Sequence, residues 1–148
     1  MSDYENLPSV DVVVVGVDAS TTALTAALEA ASLAHRLGAS LHIVSAVPSD
    51  APVRVGTGSN EFTVTGITRA EQTLADVASR LGGDLVVTVA AARGKPADVI
   101  VAEAEKVDAD LIVVGSKRMT GIGRVLGSIA NDVAHHAPCS VYIAKTTS

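Results

Sequence analysis

The chain has 148 residues, 48% of them hydrophobic and 18% charged, so a single packed globular domain is expected and a disordered chain is excluded. A formal net charge of −5 argues against nucleic acid as a partner, because sequence-independent DNA binding needs a basic face. No apolar run approaches the roughly 20 residues that span a bilayer, so no membrane association is expected either.

The start of the chain and its cysteine content predict a cytoplasmic protein. The segment from Met1 to Asn6 is acidic and lacks the basic and then apolar order of a secretory signal peptide. Cys139 is the single cysteine, which excludes an internal disulfide and fits a reducing compartment. Residues 1–148 are expected to form one domain there.

Short apolar runs alternate with helical patterns along the chain. The predicted strands are Val12–Val17, Leu41–Val47, Leu85–Val89, Leu111–Val114 and Ser140–Ala144. Between them, an alanine-rich segment and three apolar stripes at helical spacing predict helices over Thr21–Leu37, Ala70 to Leu81, Ala97 to Val107 and Leu126 to Ala137. Such alternation is typical of right-handed βαβ units. The predicted fold class is therefore α/β, a three-layer, Rossmann-like open sheet of five parallel strands.

The residue types within the strands indicate their order. The first and fourth strands are unbroken apolar runs, as expected for strands buried on both faces. The other three are expected nearer the edges because they carry His42, Ser45, Thr88, Ser140 or Tyr142. We predict the order 3-2-1-4-5, in which the chain reverses direction between strands one and four. Ligands bind open α/β sheets at the carboxyl ends of strands beside such a reversal.

Two connections are longer than is usual in this fold class. The segment Pro48–Gly66 is predicted to be either a small hairpin or a flap over the ligand site. The loop Ser116–Val125 is rich in glycine and in basic residues, and it leads into a helix.

The surroundings of this second loop suit a phosphate. A buried strand ends at Gly115, and a new helix opens at Gly127. This order brings together free backbone N–H groups, a helix N-terminus and the cations Lys117 and Arg118. Each glycine can alternatively supply only a loop conformation, and Ser128 can be a helix cap as well as a phosphate ligand.

Other candidate residues have structural alternatives. Asp18 follows strand one, where its carboxylate can accept hydrogen bonds from a ligand amine or ribose, or can cap the next helix together with Ser20. His42 is interpreted as structural. His135 and His136 are adjacent on a helix, point about 100° apart and cannot chelate a metal as an i, i+4 pair does. The sequence contains no P-loop motif, no convincing Ser/His/Asp set and no metal-ligand cluster.

In their order and spacing, these motifs resemble the universal stress protein family over Val12 to Lys145. The matching pieces are Val-Gly-Val-Asp18-Ala-Ser20, Leu41-His-Ile-Val, Gly94-Lys-Pro-Ala-Asp-Val-Ile100, Asp110 to Gly115, Gly127-Ser128 and Ala137-Pro-Cys-Ser-Val. Nucleotide-binding members carry Gly-x-x-Gly, nine residues and then Gly-Ser or Gly-Thr. Here Arg118 replaces the second glycine and the loop is one residue shorter. Arg118 can block the close approach that glycine allows, or it can supply a charge to the phosphates, which we favour.

The resemblance implies a regulatory stress-response module that binds ATP or a related adenine nucleotide, with or without Mg²⁺. The implied binding residues, including the adenine-pairing backbone of Ala46, are Asp18, Ser20, Ala46, Gly115, Lys117, Arg118, Gly127 and Ser128. Cyclic AMP is an alternative ligand, because one phosphate suits the shortened loop. No base or water-positioning residue stands out beside the loop, so we expect no enzyme and at most slow ATP hydrolysis.

A homodimer is expected by the same resemblance. Ser140–Ala144 would be an edge strand, and such an edge tends to be paired or covered. The alternative to nucleotide binding is a nucleotide-independent dimeric interaction protein of the same fold, with Arg118 closing the pocket.

Overall fold

The computed structural model of the chain describes residues 6–18, 21–48, 66–116 and 126–146. Within these ranges the strands are β1 Val12–Gly16, β2 Ser40–Val47, β3 Val87–Arg93, β4 Leu111–Gly115 and β5 Ser140–Ala144. The helices are α1 Thr21–Leu37, α2 Gly66–Ser79, α3 Pro96–Lys106 and α4 Ser128–His136. No helix in these ranges has both the length and the apolar character that crossing a bilayer requires.

The five strands form one parallel sheet in the order β3-β2-β1-β4-β5. The α/β class and the strand order predicted from the sequence are therefore confirmed. β2 and β4 flank β1 on opposite sides. The chain therefore runs from β1 through β2 to β3 on one side of β1, and from β4 to β5 on the other side. The reversal lies between β1 and β4.

Two apolar layers cover the sheet. Alternate residues of a strand point to opposite faces, so neighbouring valines of β1 belong to different layers. One layer joins the sheet to α1 and α2 through buried residues such as Val13, Val15, Leu41, Ile43, Ala27 and Leu74. The other joins it to α3 and α4 through Val14, Val44, Ile112, Val114, Ile100 and Val133. Both layers are built from small aliphatic side chains, in keeping with an aromatic content of 2%.

The third strand differs from its sequence-based bounds. We predicted Leu85–Val89, but β3 begins at Val87 and ends at Arg93. Three alanines, Ala90 to Ala92, come directly before its last residue, and alanine has weak strand propensity. They form a strand because Ala90 to Ala92 pair in register with Val44 to Ala46 of β2.

Backbone conformation at two helix ends agrees with the residues found there. Gly38 directly follows α1 and adopts a φ of +68°, a conformation that costs glycine little and stops the helix. Pro96 is the first residue of α3. A backbone N–H at this position has no acceptor within the helix, so proline loses no hydrogen bond there.

Candidate functional site

The carboxyl ends of β1 and β4 lie side by side. The two strands pair from Val13 with Leu111 to Val15 with Val113. The chain leaves β1 through Asp18, which is exposed, and leaves β4 through Ser116, which is half-buried. The predicted convergence of these two strand ends is confirmed, and it defines the candidate site.

Close packing behind the site depends on a glycine. A Cβ atom at Gly16 would collide with the Ile100 side chain of α3. Glycine at the end of β1 therefore lets α3 approach the sheet directly behind the crevice. The chain then stays in line with β2, because the Val17 N–H donates to the Val44 carbonyl at 2.8 Å.

The predicted adenine-pairing residue is at the same edge of the sheet. Gly16 is opposite Val44, so Ala46 of β2 extends two residues beyond the end of β1. Ala46 is half-buried and pairs with Ala92 on its β3 side. The structure thus brings Asp18, Ala46 and Gly115 to one edge, each within two residues of the end of its strand.

The N-terminus of α4 points to this edge as well. The helix lies between two parallel strands in the chain, so it must run from the carboxyl edge of the sheet back to the amino edge. Gly127 is its N-cap residue, buried, with φ −57° and ψ 151°, and among the described residues no side chain caps the helix. Within this part of the chain the first-turn N–H groups thus meet no capping side-chain oxygen, and such a helix start favours an anion.

Ser128 is the first residue of α4 and is exposed. The interpretation of Ser128 as the helix cap was wrong, because a cap residue has an extended backbone and precedes the first helical residue. That position belongs to Gly127, whose carbonyl accepts the Asn131 N–H at 2.9 Å.

Several predicted residues lie outside the part of the chain that the structure describes. These are Ser20, Lys117 and Arg118, together with most of the predicted flap, residues 49–65. Their roles stay predictions from the sequence.

Sequence reasoning missed a contact at the site made by the C-terminal segment. The Ser116 N–H donates to the Ala144 carbonyl at 2.8 Å, and the Thr146 N–H donates to the Ser116 Oγ at 3.0 Å. A Cβ at Gly115 would lie 3.1 Å from both Cγ2 and Oγ1 of Thr146. Glycine at this position therefore makes room for the threonine. The only signal in the sequence was that Thr146 follows the end of β5 by two residues.

A polar cluster links the sheet to α3 away from the crevice. His42 is 7% exposed; its Nδ1 lies 2.7 Å from the Thr88 Oγ1 and its Nε2 lies 3.0 Å from the Glu103 Oε1. Both ring nitrogens are thus engaged, which supports a structural role for His42. With this cluster, β2 is as buried as the central strands despite its polar residues.

Cys139, His135 and His136 show no sign of a nucleophilic or metal-binding role in the described part of the chain. Burial, and secondarily the Asp110 carboxylate, raise the pKa of the Cys139 thiol, which disfavours the nucleophilic thiolate. His135 and His136 are exposed, and each Nδ1 lies within 2.9 Å of the backbone carbonyl four residues earlier. In the described ranges, no three His, Cys, Asp or Glu side chains gather into a metal site.

The model of the universal stress protein family matches residues 10–145. The chain belongs to the universal stress protein family. The motifs at the ends of β1 and β4 and at the start of α4 all fall within the matched range, so the resemblance seen in the sequence is confirmed.

Solved structures similar to this chain include universal stress proteins. A universal stress protein in complex with cAMP is 29% identical, with a TM-score of 0.73 over 95% of this chain and 100% of that one. The universal stress protein from Archaeoglobus fulgidus in complex with dAMP is 25% identical, with a TM-score of 0.64 over 90% and 96%. Protein Rv1636 from Mycobacterium tuberculosis H37Rv is 30% identical, with a TM-score of 0.61 over 96% and 100%. No curated protein sequence matches the chain.

Proposed function

We propose that this universal stress protein binds an adenine nucleotide in the crevice at the carboxyl ends of β1 and β4. The observation that carries the proposal is the start of α4 at this edge, where Gly127 is the buried N-cap residue and no side chain of the described ranges caps the helix. Such a helix start favours a phosphate group. The cAMP and dAMP complexes of two similar family members support an adenine nucleotide as the ligand.

Within this proposal the residues divide by the part of the ligand they meet. Asp18 contacts the adenine or ribose, and the Ala46 backbone pairs with the adenine edge. Gly115, Gly127 and Ser128 meet the phosphates, with charge from Lys117 and Arg118. The ligand is ATP or a related nucleotide, with or without Mg²⁺, and a single phosphate as in cyclic AMP suits the short loop.

The role we propose is regulatory and cytoplasmic. Nucleotide occupancy would alter the surface around the crevice or the contact between subunits, and any ATP hydrolysis would be slow. The support is the absence of a candidate general base in the sequence around the phosphate loop.

Calorimetric titration of nucleotide-free protein with Mg-ATP, AMP and cyclic AMP in parallel tests the proposal. We expect saturable binding in the micromolar range by at least one of them, and a loss of about tenfold in affinity for Asp18→Ala, the size of one lost charge-assisted hydrogen bond. Asp76→Ala is the matched control, because the Asp76 carboxylate forms an exposed i, i+4 ion pair with Arg80, just past the end of α2 and away from the crevice. No binding of any of the three by folded protein would contradict the proposal.

We further propose that two copies pair through β5. Among the described strands β5 is an edge of the sheet, and Tyr142 on it is 38% exposed. The Tyr142 hydroxyl donates to the Glu29 Oε1 at 2.7 Å, a contact that raises the pKa of the phenol. The edge and its exposed aromatic ring support an interface of this kind.

Tyr142→Lys is expected to convert the dimer to a monomer. Lysine on an edge strand opposes pairing, while its ammonium group can still reach Glu29 and so preserve the fold of the single chain. Sedimentation equilibrium at micromolar concentration measures the effect, with Tyr142→Phe as the control that stays dimeric. A monomeric wild-type protein, or a lysine variant that still dimerises, would exclude this interface.

One observation favours the alternative of a nucleotide-independent interaction protein. Gly115 has a packing reason that involves no ligand, since the Thr146 side chain occupies the space a Cβ would need. Under this alternative, calorimetry detects no binding of Mg-ATP, AMP or cyclic AMP, while the protein is still a dimer.

A further inference from the structure

We propose that Thr146 is a positioning residue for the nucleotide site and that it acts by holding Gly115 and Ser116 in place. The inference rests on the proposed function, because it concerns how the phosphate-binding part of the same crevice is kept in its binding geometry. Thr146 lies beyond the last strand and belongs to none of the motifs recognised in the sequence.

The backbone contacts extend the sheet past the end of β4. The last pair of the β4–β5 ladder is Gly115 with Ala144. The Ser116 N–H continues the ladder by donating to the Ala144 carbonyl at 2.8 Å. The Thr146 N–H then donates to the Ser116 Oγ at 3.0 Å, so a side chain provides the next link. The chain is thereby fixed one residue further than the strand itself, at the point where it leaves for the phosphate-binding loop.

The side chain of Thr146 packs on the same point. Its Cγ2 and Oγ1 both lie 3.1 Å from the position that a Cβ of residue 115 would take. The threonine therefore fills the space beside Gly115 and limits how far this glycine can move. Backbone N–H groups bind a phosphate well only when their directions are set before the ligand arrives.

The shape of the side chain matters here more than its hydroxyl group. The Oγ1 of Thr146 is buried and has no hydrogen-bond partner among the residues the structure describes. A buried hydroxyl without a partner is unfavourable to folding. An isosteric apolar side chain should therefore serve equally well as a positioning group and make the protein more stable.

Two substitutions at Thr146 separate positioning from a general effect on folding. Thr146→Ala removes both Cγ2 and Oγ1 but keeps the backbone N–H; we expect affinity for AMP to fall about fivefold and affinity for adenosine to change less than about twofold. Thr146→Val keeps the shape; we expect AMP affinity within about twofold of wild type and a melting temperature about 2–4 °C higher. Thr73→Ala is the matched control, because the Thr73 hydroxyl only donates to the Arg69 carbonyl within α2.

Amide hydrogen exchange in the ligand-free protein provides a second readout. We expect the Ser116 N–H to exchange about tenfold faster in Thr146→Ala than in wild type or Thr146→Val. If Thr146→Ala binds AMP like wild type, or if the exchange at Ser116 is unchanged, the role of Thr146 is overturned while the proposed function stands. A folded wild-type protein that binds none of Mg-ATP, AMP, cyclic AMP and adenosine overturns both.

Discussion

Gly127→Val is expected to lower the affinity for adenine nucleotides by roughly 100-fold or more, the scale of losing the anion-binding helix start together with steric exclusion of the ligand. Gly127 is buried at the boundary of α4, where the proposed phosphate would meet the first-turn N–H groups. Its φ of −57° and ψ of 151° are accessible to valine, so the helix can begin at the same residue. The added side chain must then occupy space beside the N-terminus of the helix.

The effect on binding can be separated from an effect on folding. The matched control is Gly82→Val, because a Cβ at Gly82 would have no atom within 4 Å and its backbone needs no positive φ. Calorimetry of both variants with the best-binding nucleotide, together with their unfolding curves, makes the comparison. A Gly127→Val protein that is folded and binds like wild type would show that the ligand does not use the start of α4.

Glu103→Ala is expected to lower the free energy of unfolding by about 2 kcal/mol, within the range for leaving a buried polar group without its partner. The Glu103 carboxylate lies 3.0 Å from the His42 Nε2, and the side chains of both residues are largely shielded from solvent. Removing it leaves the Nε2 of a buried histidine without its hydrogen-bond partner. Urea unfolding followed by circular dichroism measures the change.

A second variant separates the loss of one partner from the loss of the whole pair. The double variant His42→Leu, Glu103→Leu replaces both polar groups by apolar ones and should be more stable than Glu103→Ala alone. Glu105→Ala on the exposed side of α3 is the control, expected within about 0.5 kcal/mol of wild type. Equal stability of Glu103→Ala and Glu105→Ala would mean that the His42 contact contributes nothing to folding.

Local patterns in the sequence were sufficient for the architecture. Unbroken valine runs identified β1, and the apolar run Leu111–Val114 identified β4, because a strand covered on both faces has no position for a polar side chain. Their central placement implied the reversal between them and hence the edge at which a ligand binds. Gly115 and Gly127 were also recognised from their neighbours in the sequence, because the residues around a strand end and around a helix start follow characteristic patterns.

Features that depend on pairing or on distant contacts could not be read in this way. Near the end of β3, Ala90 to Ala92 form a strand only because β2 supplies partners in register. The polarity of His42 suggested a less buried strand, but Thr88 and Glu103, 46 and 61 residues away in the chain, satisfy its ring nitrogens.

The sequence by itself determined the fold class, the strand order, the edge that carries the site and the family, because each follows from periodicity and from motifs within a few residues of one another. Only the tertiary structure decided that Gly127 rather than Ser128 caps α4 and that Thr146 packs on Gly115. The second contact joins residues 31 positions apart, counted from 115 to 146. Contacts of this kind arise from how the ends of β4 and β5 are aligned, and that alignment is set by the packing of the whole sheet.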